Sequence, residues 1–243
     1  MEIKNLTLVR KLKYNLVRSK RRKTSEIIVD ENEITLRIPF DKSINDADKL
    51  VASKIKWIIR KQKEYREREP EIAKPKFLQG STLPYLGKNY QILIVKNGKH
   101  DYNKIKLEND KFIFTLVNTN ATMLSNKLNL VKSLYEDWLY AQASKIFEEK
   151  TEHFRKVVNV SPQEVVVKKL KNRWGSATGK RTINLNLNLI KAPEDVIDYV
   201  IIHELCHLII KKHSHHFWNL LKKYVDDYKA RIEWLEVNGR YLI

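Results

Sequence analysis

The chain has 243 residues, 42% of them hydrophobic, enough to bury one large core or two small ones. A single cysteine, Cys206, excludes an internal disulfide framework, and a formal net charge of +18, from 47 Lys plus Arg against 29 Asp plus Glu, favours polyanionic partners. Met1 to Asn5 offers no apolar signal core, and the most apolar stretch, 196–210, is interrupted by Asp198, His203, Glu204 and His207, so no membrane span and a reducing, cytoplasmic setting are expected.

Short alternating stretches at Leu6 to Val9, Tyr14 to Val17, Glu26 to Val29 and Glu33 to Ile38 predict an antiparallel meander. Arg10 to Lys23 carries eight basic residues and no acid, a patch that could follow a phosphate backbone or form the solvated turn and face of a β-hairpin. A helix is predicted from about Asn45 to Arg68, with Leu50, Val51, Ile55, Ile58 and Ile59 packing on that sheet. Pro70 and Pro75 mark a linker or crossing loop over Glu69 to Lys76. Strands return at Tyr90 to Val95, Lys104 to Leu107 and Phe112 to Leu116, with turns at Asn97 Gly98 and Asn109 Asp110.

From about Ser125 to Val157, Leu128, Val131, Leu134, Trp138, Leu139 and Ile146 recur at helical spacing and predict one long helix. Two more strands follow, at 164–168 and 181–189. In the second, Ile183, Leu185, Leu187 and Leu189 alternate with Asn184, Asn186 and Asn188, giving an apolar face and an amide face. Pro193, Glu194 and Asp195 signal the start of a helix that is apolar nearly all round and therefore buried.

Inside that helix lies His203, Glu204, Leu205, Cys206, His207. Histidines four apart on a helix stand about 40° apart on one face, one turn above the other, so both rings can reach one ion. Glu204 lies about 100° round from His203, beside the ion and facing a bound water, which is the position of a base. Such titratable groups in a buried helix call for a partner, and a dication supplies one.

A catalytic zinc takes three protein ligands and keeps one position for water. On an unbroken helix His213 would point about 240° away from His207, so a break is required near Lys211 or Lys212. Ser214 is a plausible N-cap for a following helix with Phe217, Leu220, Leu221 and Tyr224 on one face. Spacing favours His213 as third ligand. Glu233, Glu236, Asp226 and Asp227 are the competing positions. The pattern matches the metzincin spacing, but Ile210 stands at their glycine and the only methionines, Met1 and Met123, exclude their Met-turn.

Arg173 Trp174 Gly175 Ser176, Ile183 to Asn186, Pro193 to Val200, His203 to His207, His213 Ser214 and Phe217 Trp218 together resemble the YgjP-like metallopeptidase family, relatives of SprT-like proteins. Val17 to Thr24, Ile55 to Ile58 and Pro84 to Tyr90 extend the resemblance over nearly the whole chain. It implies His203, His207 and His213 as zinc ligands and Glu204 as the catalytic glutamate. Ala177 stands where the family commonly has a cysteine.

The expected fold is α+β: an antiparallel β-rich N-terminal region with a helix, 1–117, then a zincin-like domain, 118–243, with the HExxH helix beside a small sheet. The expected function is zinc-dependent hydrolysis of peptide bonds in a protein or peptide substrate, through a metal-bound water activated by Glu204. Strand 181–189 or the Trp174 Gly175 Ser176 turn is a candidate cleft wall, and Tyr228, His215 and Arg173 are candidate oxyanion donors. The alternative is a nucleic-acid-associated protease or adaptor, similar in logic to SprT-like enzymes, docking through its basic N-terminal half.

Overall fold

Ile34, Leu36 and Ile38 alternate with polar neighbours, and Ala47, Val51, Ile55 and Ile58 recur at helical spacing, so a strand and a helix each present one apolar face. In the computed structural model, which describes residues 12–29, 33–67, 75–96, 102–117 and 124–242, these faces meet in a closed core. The chain forms two compact units, Met1–Glu69 and Pro70–Ile243.

The first unit holds β1 (Asn15–Ser19), β2 (Glu26–Val29), β3 (Ile34–Pro39) and α1 (Ile44–Glu67). The sheet order is β1-β3-β2, with β1 parallel and β2 antiparallel to β3, so it is not the expected meander. β3 is the strand with the most buried side chains, and placing it centrally lets both neighbours share its cover. α1 starts at a reciprocal cap: the Ser43 amide donates to Asp46 (2.9 Å) and the Asp46 amide to the Ser43 hydroxyl (3.1 Å). Ile59, expected in the core, is 46% exposed, since it lies about 100° round from buried Ile58. The strand expected at Leu6 to Val9, the patch residues Arg10 and Lys11 and the turn at Asn97 Gly98 fall outside the described residues. In the described part of the patch, Arg22 is paired with Glu26 (2.6 Å) and Lys20 lies over the Phe40 ring.

The second unit opens with β4 (Thr82–Tyr85), β5 (Lys88–Lys96), β6 (Lys104–Glu108) and β7 (Lys111–Leu116), ordered β4-β5-β7-β6. Two hairpins lie side by side, with β5 and β7 parallel at the centre. The turn at Asn109 Asp110 is tight, and both residues take positive φ (50° and 55°). α2 (Leu124–Val158) buries Val131, Tyr135, Leu139, Ala143, Phe147 and Thr151, one position in four. Phe112 is sealed against Tyr135 and Trp138 of α2, with edge-to-face centroid distances of 5.4 and 5.0 Å, and so joins this sheet to the helix. Phe112→Ala is expected to cost about 3–5 kcal/mol of stability, read from denaturant unfolding of the whole chain. Position 117/118, where the sequence suggests a division, therefore falls inside this unit: Phe112, Phe114 and Leu116 share one core with Val131 and Tyr135.

Next come β8 (Glu164–Lys168), β9 (Gly175–Ala177) and β10 (Thr182–Asn186), ordered β8-β10-β9. β10 ends at Asn186, not at 189. The Asn186 side chain accepts from the Asn188 amide (3.1 Å), turning Leu187–Lys191 into a 3₁₀ helix. Both faces of β10 are buried, so its amides are internal: Asn186, 1% exposed, donates to the carbonyls of Leu170 (2.8 Å) and Arg173 (2.9 Å) and ties down the approach to β9.

α3 (Glu194–His207), α4 (His215–Lys222) and α5 (Tyr228–Leu242) complete the α+β fold. α3 is positioned from three sides. Lys150 of α2 bridges Glu194 (3.0 Å) and Asp198 (2.8 Å), and Arg231 of α5 reaches Asp195 (2.7 Å). The third hold is the β4–β5 turn, where the Leu86 and Gly87 amides donate to the carbonyls of Ile190 and Lys191 (3.0 and 3.1 Å). Gly87 has φ +76° and abuts Pro193, where an added Cβ would fall 2.9 Å from Pro193 Cα. Only glycine meets both conditions.

Candidate active site

α3 carries the motif. Val196, Ile197, Val200, Ile201, Leu205 and Cys206 bury its core faces, which leaves His203 and His207 together on the remaining one. The helix stops at His207, four or five residues before the break expected near Lys211 or Lys212. Leu208 and Ile209 form a turn, with amides bonded back to the carbonyls of Leu205 and Cys206 (3.0 Å each), and the chain turns back. Ser214 is the N-cap residue of α4 by position, though its side chain makes no capping bond. His213 thus sits in the corner between the helices.

The result is a near-equilateral triangle of nitrogens: Nε2 of His203, His207 and His213 lie 2.9–3.1 Å from one another. The second ring nitrogens are used elsewhere. His207 Nδ1 lies 3.1 Å from the Ile210 carbonyl, which can only accept, so this nitrogen carries the proton and His207 Nε2 presents a lone pair. His203 Nδ1 lies 3.4 Å from the Tyr199 hydroxyl. Burial, then the neighbouring imidazoles, pushes the His203 pKa down to about 3; burial and His207 lower that of His213. Ring nitrogens with converging lone pairs repel one another unless a cation sits among them, so this donor set fits a divalent metal. Aromatic rings set the orientation: Phe217 stacks on His207 (4.4 Å, 26°) and Trp218 on His213 (5.4 Å, 20°).

Glu204 faces the other way, toward β9. It is 6% exposed, and burial raises its pKa to about 7 against the opposing pull of the Ala177 backbone hydrogen bond and the Arg173 charge. The fit is tight: a Cβ on Gly175 would stand 2.7 Å from Glu204 Cγ and Oε1. Glu204 and the three histidines line one cleft of about 890 Å³, whose opposite wall is residues 172–179. The Trp174 Gly175 Ser176 segment, a turn by its sequence, is thus largely edge strand β9, and it forms the wall, whereas β10 does not. Asn184 and Thr182 of β10 instead line a separate hollow with Glu164, Val166 and Lys168.

The competing ligand positions do not join the histidines: Asp227 bonds to Arg231 (2.5 Å), and Asp226, Glu233 and Glu236 are exposed and outside the cleft lining. Of the candidate oxyanion donors, Arg173 lines the cleft, Tyr228 stacks on Trp218 (5.3 Å), and His215 lies 3.1 Å from the Asn219 side chain. Tyr199 also belongs to the site, hidden in sequence within an apolar run, and its place four residues before His203 on the same helix face is the signal that marks it. Cys206 is fully buried, and burial pushes its thiol up to about 12.

The family model for the YgjP-like metallopeptidase domain matches residues 23–238. The chain belongs to the YgjP-like metallopeptidase family. As a YgjP-like protein it is a peptidase, a hydrolase of peptide bonds. Two solved metallopeptidase zymogens are similar over part of this YgjP-like chain. Abylysin of Pyrococcus abyssi is 26% identical with a TM-score of 0.34, covering 38% of this chain and 97% of its own. Jannalysin of Methanocaldococcus jannaschii is 25% identical with a TM-score of 0.32, covering 36% and 93%. Comparison with curated proteins returned no match.

Proposed function

We propose that this peptidase is zinc-dependent, with the Nε2 atoms of His203, His207 and His213 as ligands and Glu204 as general base. The observation that carries the reading is the convergence of three Nε2 atoms within 3.1 Å in the cleft that also holds buried Glu204. Zinc supplies Lewis acidity when bound, acidifying a water and polarising the scissile carbonyl.

The chain's own residues do the rest. Glu204, held in place by the Ala177 N–H, takes the proton of the attacking water and returns it to the leaving amine. Tyr199 and the Ile210 carbonyl keep two rings from rotating, so little reorganisation is needed when the metal and the substrate bind. The edge strand β9 offers backbone groups along which an extended substrate can lie. No described helix is long and apolar enough to cross a membrane, and the one buried thiol suits a reducing compartment, the cytoplasm.

The test is metal removal. Protein stripped with a chelator is expected to lose cleavage of an unstructured protein substrate and to regain it with one equivalent of zinc. His213→Ala is expected to weaken zinc binding by on the order of 100-fold or more, measured by competition with a chromophoric chelator. Undiminished cleavage by the stripped protein, or full zinc affinity in His213→Ala, would overturn the assignment.

A further inference from the structure

We propose that the cleft selects acidic segments of polypeptide, with Arg173, Arg181 and Lys211 engaging carboxylate side chains on both sides of the scissile bond. This rests on the peptidase reading above and adds the substrate class to it.

The inference comes from the charges that line the cleft. Arg173, Arg181 and Lys211 are its cations, and Glu204 is its single described carboxylate, turned inward to Ala177. All three cations are exposed, and none is ion-paired with a described carboxylate. The cations that hold neighbouring elements behave differently: Lys150, Arg231 and Lys169 each contact an acid within 3.0 Å. No described salt bridge therefore competes with a ligand carboxylate for these three side chains, although the Arg173 charge also acts on Glu204.

Their placement brackets the metal site. Arg173 precedes β9 by two residues, and Arg181 closes the turn that follows it, its Nε donating to the Ser161 carbonyl (2.8 Å) so that the guanidinium is fixed. Lys211 sits across the cleft, on the segment between His207 and His213. A chain lying along β9 passes one cation at each end and a third on the far side. The remaining wall, with Trp174, Val200, Leu208 and Leu235, is uncharged. A concave surface of one sign focuses its potential, and a planar guanidinium takes a carboxylate through two parallel hydrogen bonds.

Binding and cleavage need to be read side by side. Zinc-loaded Glu204→Gln protein is titrated with two labelled unstructured peptides that share a central sequence and carry flanking glutamates or flanking lysines. The expected result is at least about tenfold tighter binding of the acidic peptide at low salt, shrinking severalfold in 0.5 M salt. Adding Arg173→Glu and Lys211→Glu is expected to abolish or invert the preference. Reversing two exposed lysines of α2, Lys132→Glu and Lys145→Glu, changes net charge equally and is expected to leave it. Equal binding of both peptides, or an α2 pair as damaging as the cleft pair, overturns the proposal, the latter by assigning the preference to the field of the whole molecule. The wild type then cleaves both peptides in parallel. Acid-selective binding with no cleavage of either peptide sinks the zinc and Glu204 reading and leaves only the acid preference of the cleft standing, whereas cleavage without acid preference sinks this inference alone.

Discussion

Glu204→Gln is expected to keep its metal and to cleave an unstructured protein on the order of 10³-fold more slowly than the wild type. The substitution is nearly isosteric. The amide oxygen still accepts from the Ala177 N–H, and nothing else in the crowded contact with Gly175 changes. What is lost is the capacity to take a proton from water and hand it to the leaving amine. Metal content and unfolding midpoint serve as the controls, because the three ring nitrogens are untouched. A glutamine variant that holds zinc and cuts at the wild-type rate would remove Glu204 from the mechanism.

The second large effect is expected at a residue with no side chain. Gly175→Ala places a carbon 2.7 Å from both Cγ and Oε1 of Glu204, closer than real Cβ contacts come. One of two things must move: β9, which is held on β10, or the Glu204 carboxylate. The carboxylate is the softer of the two, so the loss falls on catalysis. Cleavage is expected to drop about 100-fold or more, as for a catalytic group displaced by about 1 Å, with a stability loss of about 1–3 kcal/mol. Zinc affinity is expected to stay near wild type, and Gly175→Val is expected to be worse on both counts. Unchanged cleavage in Gly175→Ala would show that the strand yields instead.

The contrast between these two residues marks what is readable in a sequence. His203, Glu204 and His207 are readable because their relation is local, set by the pitch of one helix. His213 is nearly so, since a short turn and a following helix bound its position. Even there the helix end is misplaced, because Leu208, Ile209 and Ile210 look like a continuing apolar face when they are the turn itself. Gly175 shows nothing of its role until β9 is laid against α3, an approach between segments about thirty residues apart. Strand order fails for a related reason. Alternation in β1, β2 and β3 reports which face is buried, not which strand lies beside which, and the order β1-β3-β2 is a fact about neighbours. The amides of Asn184 and Asn186 mislead by chemistry: a row of polar side chains suggests solvent, yet these are buried, and Asn186 braces the loop that leads to the cleft wall.

Cys206 lies between Glu204 and His207 in the chain, fully buried and with its thiol pushed up to about 12. A peroxide or an electrophile reaches that sulfur only when α3 parts from its neighbours. Thiol oxidation is therefore confined to molecules in which α3 has already opened, and the rate of thiol modification reports the free energy of that opening. The chain carries one sulfhydryl, inside the His203 to His207 turn of α3, and so keeps its own record of how often that helix breathes.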